Sequence, residues 1–148
     1  IKITKSGDYS IKLAGEGAEA TISAHFWLRG IDQLDLNVNI IHAAKNTTAN
    51  TTIKAIVDDN SVARINGTII VEKDAQLTNS FLTEKVLLLS PLAQAHAIPN
   101  LEIMADDVKC SHAATVSTID EEQLFYLQSR GLDKKLATHL LAKGFLNN

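Results

Sequence analysis

Apolar and polar residues alternate along much of the chain. From Ala18 to Leu28 they occupy opposite faces over eleven consecutive residues, a period of two that is typical of a β-strand and excludes a helix. The same alternation returns in residues 34–40, 53–57 and 63–71. Because these strands recur roughly every 12 to 18 residues without helix-forming links, the pattern excludes a layered βαβ fold.

The residues predicted to face inward favour a narrow β-solenoid. Many of them are small: Ala18, Ala20, Ala24, Ala55, Ala63 and Gly67. In a solenoid each coil buries its apolar side only against its neighbouring coils. No strict period is visible, and Asn66–Gly67 is also typical of a two-residue hairpin turn, which would favour a β-sandwich. We therefore favour the solenoid and keep the sandwich as the alternative.

The last quarter of the chain predicts two short helices. Asp120 and Gln123 form a capping box at the start of the first helix, which is expected to end before Gly131. The second helix is expected to begin at the N-cap Asp133 and to stop at Gly144. Isolated helices shorter than about 12–15 residues are marginal in water, so this helical hairpin must dock on the β part or on another chain.

The composition of the 148 residues is that of an ordinary globular domain, with 45% apolar and 21% charged residues. The net charge of -3 argues against a non-specific nucleic-acid or anionic-membrane binder, which needs a basic surface. The longest apolar run, residues 86–89, is far shorter than the roughly 20 residues that span a bilayer, and no secretory leader opens the chain. The single cysteine excludes an intrachain disulfide and fits a reducing compartment. No phosphate loop or dinucleotide fingerprint is present, so we expect this chain to bind no nucleotide.

Cys110 and His112 are the residues best suited to hold a metal ion or an iron–sulfur cluster. They are two residues apart, so on a strand they project from the same face. Thiolate and imidazole are natural ligands of zinc, iron and iron–sulfur clusters. A lone cysteine is more often a small buried hydrophobe, however, and a closed site needs about four ligands. If the pair binds metal, the other ligands must come from elsewhere in the fold or from a second chain, which predicts a site at an interface.

Two enzymatic interpretations compete with this one. A Cys–His nucleophile pair would also need an orienting group and an oxyanion hole, which the sequence does not reveal. The pairs Asp58–Asp59 and Asp106–Asp107 could bind a divalent ion or serve a polysaccharide-cleaving solenoid enzyme, but paired aspartates are more often turn residues. The other histidines show no metal-binding spacing and are expected to be structural: His25, His42, His96 and His139.

Two motifs near the end of the chain resemble those of a known family. They are D-D-V-K-C-S-H at residues 106–112 and E-E-Q-L-F-Y-L-Q-S-R-G at residues 121–131. Together with matching segments from about His42 onward, they resemble the C-terminal core region of the SufB/SufD family, the scaffold of Suf iron–sulfur cluster assembly. The C-S-H segment resembles the SufD branch, since SufB-like sequences tend to carry Glu-His-Glu at this place. The sequence departs from the family at Ala113, where glycine is common.

The resemblance implies a right-handed parallel β-helix domain over residues 1–117, followed by a C-terminal helical hairpin domain over residues 118–148. It also implies a non-catalytic subunit in the cytoplasm, or in the plastid stroma of a eukaryote. Such a subunit forms a heterodimer with a SufB-like subunit through the β-helix, and the isolated chain could form a homodimer. No nucleic acid or membrane partner is implied.

The resemblance also assigns residues to these roles. His112, with Cys110 as a second candidate, would bind a transient iron–sulfur cluster shared with the partner subunit. The hairpin would dock the SufC ATPase, and the candidate contacts are Glu121, Phe125, Tyr126 and Arg130.

Overall fold

The computed structural model describes residues 1–147, and within them ten β-strands are followed by two α-helices. The strands are β1 (Lys2–Ile3), β2 (Gly7–Leu13), β3 (Glu19–Leu28), β4 (Gln33–His42), β5 (Thr48–Val57), β6 (Val62–Val71), β7 (Thr78–Leu88), β8 (Gln94–Ala97), β9 (Asn100–Ile103) and β10 (Val108–Thr118). The helices are α1 (Glu121–Ser129) and α2 (Lys134–Asn147).

The strands form two parallel sheets, which confirms the predicted parallel β-solenoid and rules out the sandwich. Sheet A has the order β1-β3-β5-β7-β10, and sheet B has the order β2-β4-β6-β8, with β9 also paired to β6. Each strand pairs in parallel with a strand one coil later in the chain. From β2 onward, paired residues are 29 to 32 positions apart, as for Glu19 with Thr48 and Val62 with Gln94, whereas the short β1 pairs with β3 at a spacing of 21. One coil therefore takes about 30 residues and adds a layer to both sheets.

Stacking in register places the apolar faces of successive coils above one another and builds the core. In β4 the inward side chains are at most 1% exposed: Leu34, Leu36, Val38 and Ile40. Burying a side chain of this kind contributes about 1.5–3 kcal/mol to stability. A single coil has no partner for this face, so the burial depends on the coils on either side.

Gly67 lies in the middle of β6, so the Asn66–Gly67 pair does not form the hairpin turn that the sandwich required. Its inward side meets two side chains of β7 from the opposite sheet. A Cβ atom added at Gly67 would lie 2.5 Å from Leu82 Cδ2 and 2.6 Å from Glu84 Oε1. Non-bonded atoms do not approach so closely, and glycine is therefore what lets both side chains fill the interior.

His42 is a buried polar residue whose two ring nitrogens both have partners. Nδ1 lies 2.8 Å from Thr47 Oγ1, and Nε2 lies 2.9 Å from Ser80 Oγ. Thr47 Oγ1 lies 3.0 Å from Thr78 Oγ1, which donates a hydrogen bond to the Ala75 carbonyl. Burial lowers the pKa of His42 to about 4, so the ring is neutral near pH 7. This network agrees with the expectation that His42 is structural.

Glu84 is also a buried polar residue, but in contrast to His42 its side chain has no hydrogen-bond partner among the described residues. It lies on the inward face of β7, is fully buried, and neither carboxylate oxygen has a hydrogen-bond partner among the described residues. Burial raises the pKa of Glu84 to about 7. The Gly67 backbone partly opposes this effect, although it forms no hydrogen bond of normal geometry with the carboxylate. A buried carboxyl group without a partner costs stability.

Helix α1 begins and ends as predicted. The Asp120 side chain accepts hydrogen bonds from the backbone N–H groups of Glu122 and Gln123. At the other end, the N–H groups of Gly131 and Leu132 donate to carbonyls of the last turn, and Gly131 has a φ of 94°. This is a Schellman motif, which glycine favours because its backbone readily adopts a positive φ.

Helix α2 begins as predicted, because the Asp133 side chain accepts a hydrogen bond from the backbone N–H of Leu136 in the first turn. The prediction that it stops at Gly144 was wrong, because the helix continues to Asn147. A glycine inside a helix costs about 1 kcal/mol. The packing of Ala142 and Phe145 on sheet A outweighs that cost.

The helical hairpin docks on the outer face of sheet A through α2. Ile56 and Leu87 of the sheet pack against the end of α2. Lys54 Nζ donates a hydrogen bond of 3.0 Å to the carbonyl of Phe145. The Trp27 ring stacks on His139, with 5.1 Å between ring centroids. The β part therefore supplies the packing surface that such short helices need.

We expect Gly67→Ala to destabilise the protein by about 1–3 kcal/mol, because the new methyl group overpacks the interior beside Leu82 and Glu84. Urea unfolding followed by circular dichroism measures the change. Gly15→Ala is the matched control, since a Cβ there meets no atom within 4 Å. An equal change in stability for both variants would contradict the close approach at Gly67.

Two titratable groups between the sheets, His42 and Glu84, predict opposite pH dependences of stability. The pKa of His42 falls from 6.5 to about 4 on folding, so the unfolded state binds the extra proton and stability rises with pH over that interval. The pKa of Glu84 rises from 4.5 to about 7, so the folded state holds the proton and stability falls as pH rises over that interval. Each shift corresponds to about 3 kcal/mol, and the two slopes oppose each other where the intervals overlap.

Glu84→Gln should therefore reveal the His42 slope. Urea midpoints of the variant should rise steadily from about pH 4 to 6.5, whereas those of the parent protein should stay nearly level over the shared interval. At pH 8 the variant should be more stable than the parent, because it buries no carboxylate. Glu102→Gln, at an exposed glutamate of β9, serves as the control. A Glu84→Gln protein that is weaker than the parent at pH 8 would refute this account.

Candidate functional site at the end of the β-helix

Strand β10 is the outer strand of the last coil, and among the described residues it pairs only with β7. The inward positions of the two strands lie in register: Cys110 with Ser80, His112 with Leu82, and Ala114 with Glu84. The β7 residues are buried, whereas Cys110 is half-buried and His112 and Ala114 are exposed. Among the described residues no further coil covers them. We call the inward side of β10, together with β8, β9 and their adjoining loops, the end face.

The end face is rich in exposed apolar side chains. Ile98, Met104 and Val116 are 54%, 58% and 45% exposed, and Leu92 and Ile103 are exposed as well. Val116 and Ile103 occupy inward positions of the last coil, in register with the buried Val86 and Val71 of the coil before it. A concentration of exposed apolar residues marks an interaction surface. The end face therefore fits a partner that covers the open end.

Cys110 lies half-buried above Ser80 and packs against the edge of the core. Burial raises the pKa of its thiol, and the backbone of Ser80 partly opposes the effect. A thiol with a raised pKa is mostly protonated and a weak nucleophile. A bound metal cation would deprotonate it, as it does other thiol ligands.

His112 is exposed on the same face of β10, two residues from Cys110. Ala113 follows His112, lies on the opposite face and has no positive φ, so the departure from glycine leaves the strand unstrained. No three metal-ligating side chains of the described residues come close enough together to hold a metal ion. The sequence pointed to a pair of donors, and the structure places both on one face of β10 without a third beside them among the described residues.

The geometry does not support the Cys–His nucleophile. Among the described residues, His42 is the histidine whose ring is hydrogen-bonded, and His112 has no such partner to orient it. Cys110 and His112 are likewise not bonded to each other. A nucleophile of this kind needs a base within hydrogen-bond reach and a third group that orients the base.

The two aspartate pairs do not form a joint site. Asp58 and Asp59 follow the carboxyl end of β5, whereas Asp106 and Asp107 precede the amino end of β10. Because the strands are parallel, the two pairs lie at opposite ends of the strands of sheet A. The Asp59 carboxylate accepts a hydrogen bond from the Gly30 N–H, and Asp58 bonds within its own turn. These aspartates therefore act as turn residues, the commoner of the two roles that their sequence allowed.

The four candidate contacts on α1 are brought together at the surface. Phe125 and Tyr126 are 73% and 57% exposed, although both are large aromatic side chains. Glu121 precedes Phe125 by four residues, and Arg130 follows Tyr126 by four, so each pair lies on one face of the helix. The Arg130 guanidinium lies 5.3 Å from the centre of the Tyr126 ring. The arrangement leaves two aromatic rings available to a partner.

A groove lies away from these residues, between sheet A and the first turns of α2. It has a volume of about 910 Å³ and is lined by Trp27, Arg29, Leu89 and His139, among others. The Arg29 guanidinium stacks on Trp27 at 4.5 Å. The groove contains neither Cys110 nor His112, and it belongs to the docking of the hairpin on the β-helix.

Sequence reasoning missed Glu84. It occupies an inward position between Leu82 and Val86, where an apolar residue is expected. That interruption of the apolar alternation is the signal that could have revealed it. Its position directly beneath the end face appears only in the register of β7 with β10.

Comparison with known proteins connects this chain with a family. The family profile described as "SUF system FeS cluster assembly, SufBD core domain" matches residues 4–145. The chain is 47% identical over 92 residues to the iron-sulfur cluster assembly protein SufD of Escherichia coli, which corresponds to 62% of this chain and 22% of that protein. It is 42% identical over 113 residues to the chloroplastic protein ABCI7 of Arabidopsis thaliana, 76% of this chain and 24% of that protein.

A SufBD family protein of Synechocystis is 45% identical over 92 residues, 62% of this chain and 20% of that protein. The chain thus spans about a fifth to a quarter of the length of these relatives. No helix of the described residues has the length and hydropathy that a membrane span requires. The resemblance drawn from the two C-terminal motifs is confirmed, and because the profile covers nearly the whole chain, this protein belongs to the SufBD core family of the SUF system for iron–sulfur cluster assembly.

Proposed function

We propose that this chain is a non-catalytic scaffold subunit that pairs with a SufB-like subunit through the end face. His112, with Cys110 as the second candidate, contributes donors to an iron–sulfur cluster that the two subunits build together. The cluster is cargo that the complex assembles and passes on. Membership of the SufBD core family supports the role in cluster assembly, and the heterodimer is the further step.

The observation that carries the proposal is an incomplete set of donors on an exposed apolar surface. One thiol and one imidazole lie on the uncovered inward side of β10, at the end of the β-helix. The described residues supply no third metal-ligating side chain beside them. An iron–sulfur cluster commonly takes four protein ligands. A second subunit that covers the end face would bury the apolar residues and complete the ligand set in one step.

The chemistry of the two donors suits a transient cluster. The neutral imidazole of a histidine can coordinate a metal through one ring nitrogen. The thiol of Cys110 must lose its proton when it binds iron, and burial opposes that loss in the free chain.

The helical hairpin, residues 118–148, is the proposed docking element for a SufC-type ATPase. Phe125 and Tyr126 are exposed aromatic rings, and Glu121 and Arg130 place one charge of each sign beside them. Aromatic and arginine side chains are enriched among the residues that dominate binding energy at interfaces. The sequence carries no phosphate loop, so the partner is the subunit that hydrolyses ATP.

Two consequences follow for the whole protein. The family relatives come from bacteria and from a chloroplast, which supports an assignment to the cytoplasm or the plastid stroma. In the absence of a SufB-like subunit, two copies of the chain could cover their end faces with each other and form a homodimer.

His112→Ala should leave the fold intact and abolish cluster build-up on the assembled complex, because the side chain is exposed and contributes a donor rather than packing. Anaerobic reconstitution with iron and sulfide, followed by absorption spectroscopy, measures the cluster. His25→Ala removes an exposed histidine of β3, which lies outside the end face, and is the matched control. Full cluster yield from the His112 variant would defeat the assignment.

Charged substitutions should separate the two partner surfaces. Val116→Asp introduces a charge into the end face and should weaken binding of the SufB-like subunit at least tenfold, while ATPase binding is retained. Phe125→Asp on α1 should have the reverse effect, because the side chain is exposed on the hairpin. Binding titrations of each partner measure both, and each variant is the control for the other. Loss of both partners with either variant would contradict two separate surfaces.

A further inference from the structure

Glu84 and His112 lie on adjacent strands, and the fold gives neither side chain a hydrogen-bond partner in the part of the chain that the structure describes. Both carboxylate oxygens of Glu84 lack a hydrogen-bond partner among the described residues, although the side chain is fully buried. The His112 ring is likewise without one, since His42 is the described histidine whose ring is hydrogen-bonded. Buried polar groups without partners are rare in folded proteins, and each one calls for an explanation.

The strand register places these two residues on adjacent coils. His112 pairs with Leu82 and Ala114 pairs with Glu84, so Glu84 is the diagonal neighbour of His112 on the inward face. Diagonal neighbours on paired strands have Cβ atoms about 7–8 Å apart, which is within reach of long side chains. Glu84 is also the one acidic residue at the inward positions of β7 and β10.

Small residues lie next to the carboxyl group of Glu84, both across the interior in sheet B and above it in β10. Gly67 lies opposite it in sheet B, and a Cβ there would collide with Oε1. Above it in register, Ala114 places a single methyl group between Glu84 and the end face. The carboxyl group is therefore buried beneath a thin cover, one layer below the surface that exposes His112.

A purely structural role does not account for this arrangement. A leucine at position 84 would fill similar space without the cost of burying a carboxyl group. Residues that break the packing rules in this way are expected at functional sites, where stability is lost in exchange for activity. Metal-binding histidines almost always donate their second ring N–H to a carboxylate, a carbonyl or water, which holds the ring in one orientation.

We propose that Glu84 is the positioning residue of His112. This inference rests on the proposed function. When the partner subunit covers the end face, the Glu84 carboxylate accepts a hydrogen bond from one ring nitrogen of His112. The other ring nitrogen is then held toward the partner and the incoming iron. Glu84 itself does not touch the metal, in keeping with the absence of a three-residue metal site among the described side chains.

Two measurements on Glu84→Leu test the proposal. In the free chain at pH 8, urea unfolding should show a more stable protein, because the buried carboxylate is gone. In the anaerobic complex with the SufB-like subunit, titration with ferrous iron alone should show an affinity 10- to 100-fold weaker, the usual cost of losing such a partner. Glu84→Gln retains an acceptor oxygen and should recover part of the affinity. A structural role would not raise stability and lower affinity together.

The controls separate this inference from the function on which it rests. Val86→Ala weakens the same strand two residues further on and should reduce stability with little effect on iron affinity. In a Glu84→Leu, His112→Ala double variant the loss should equal that of His112→Ala alone, because Glu84 acts through the imidazole. Unchanged iron affinity in Glu84→Leu, with a loss in His112→Ala, overturns the positioning role alone. Unchanged affinity in His112→Ala overturns the proposed function as well.

Discussion

The structure depends on one constraint, which is that each coil of a β-helix buries its apolar face only against the adjacent coils. Inside the stack the constraint is met, and the inward residues of β4 to β7 are buried. At β10 it is not met, so the side chains that would be core residues in any other coil are exposed. The end face follows directly from this. Cys110 and His112 occupy two of its inward positions, which is why a pair of donors so close to the core is accessible to a partner.

The interior between the sheets contains few polar groups. Its two titratable side chains, His42 and Glu84, differ in their hydrogen bonding. His42 has a hydroxyl partner at each ring nitrogen and is a satisfied part of the core. Glu84 has none, although Gly67 provides the space that its carboxyl group occupies. The satisfied group lies deep in the stack, and the unsatisfied one lies one layer below the end face. A buried charge is costly unless it is paired, so the position of Glu84 fits a partner that arrives with assembly of the complex.

Local patterns predicted the elements well. The alternation between Ala18 and Leu28 predicted β3, and Asp120 and Gly131 predicted both ends of α1. Gly144 was misleading, because a propensity worth about 1 kcal/mol is smaller than the packing of α2 on sheet A. Asn66–Gly67 was ambiguous for a related reason: glycine serves a tight turn and a close approach between sheets equally well, and only the neighbours at Leu82 and Glu84 distinguish the two.

By itself the sequence determined the alternation that faces the core, both ends of α1, the start of α2, and that Cys110 and His112 project from one face. These properties depend on the backbone within a few residues, where steric rules set a period of two or a helical cap. The tertiary structure alone decided that β10 is the last strand of sheet A among the described residues and that Glu84 lies diagonally beneath His112. That arrangement depends on a register between residues 29 to 32 positions apart. Turns of different lengths set this register, and no local pattern of side chains encodes it.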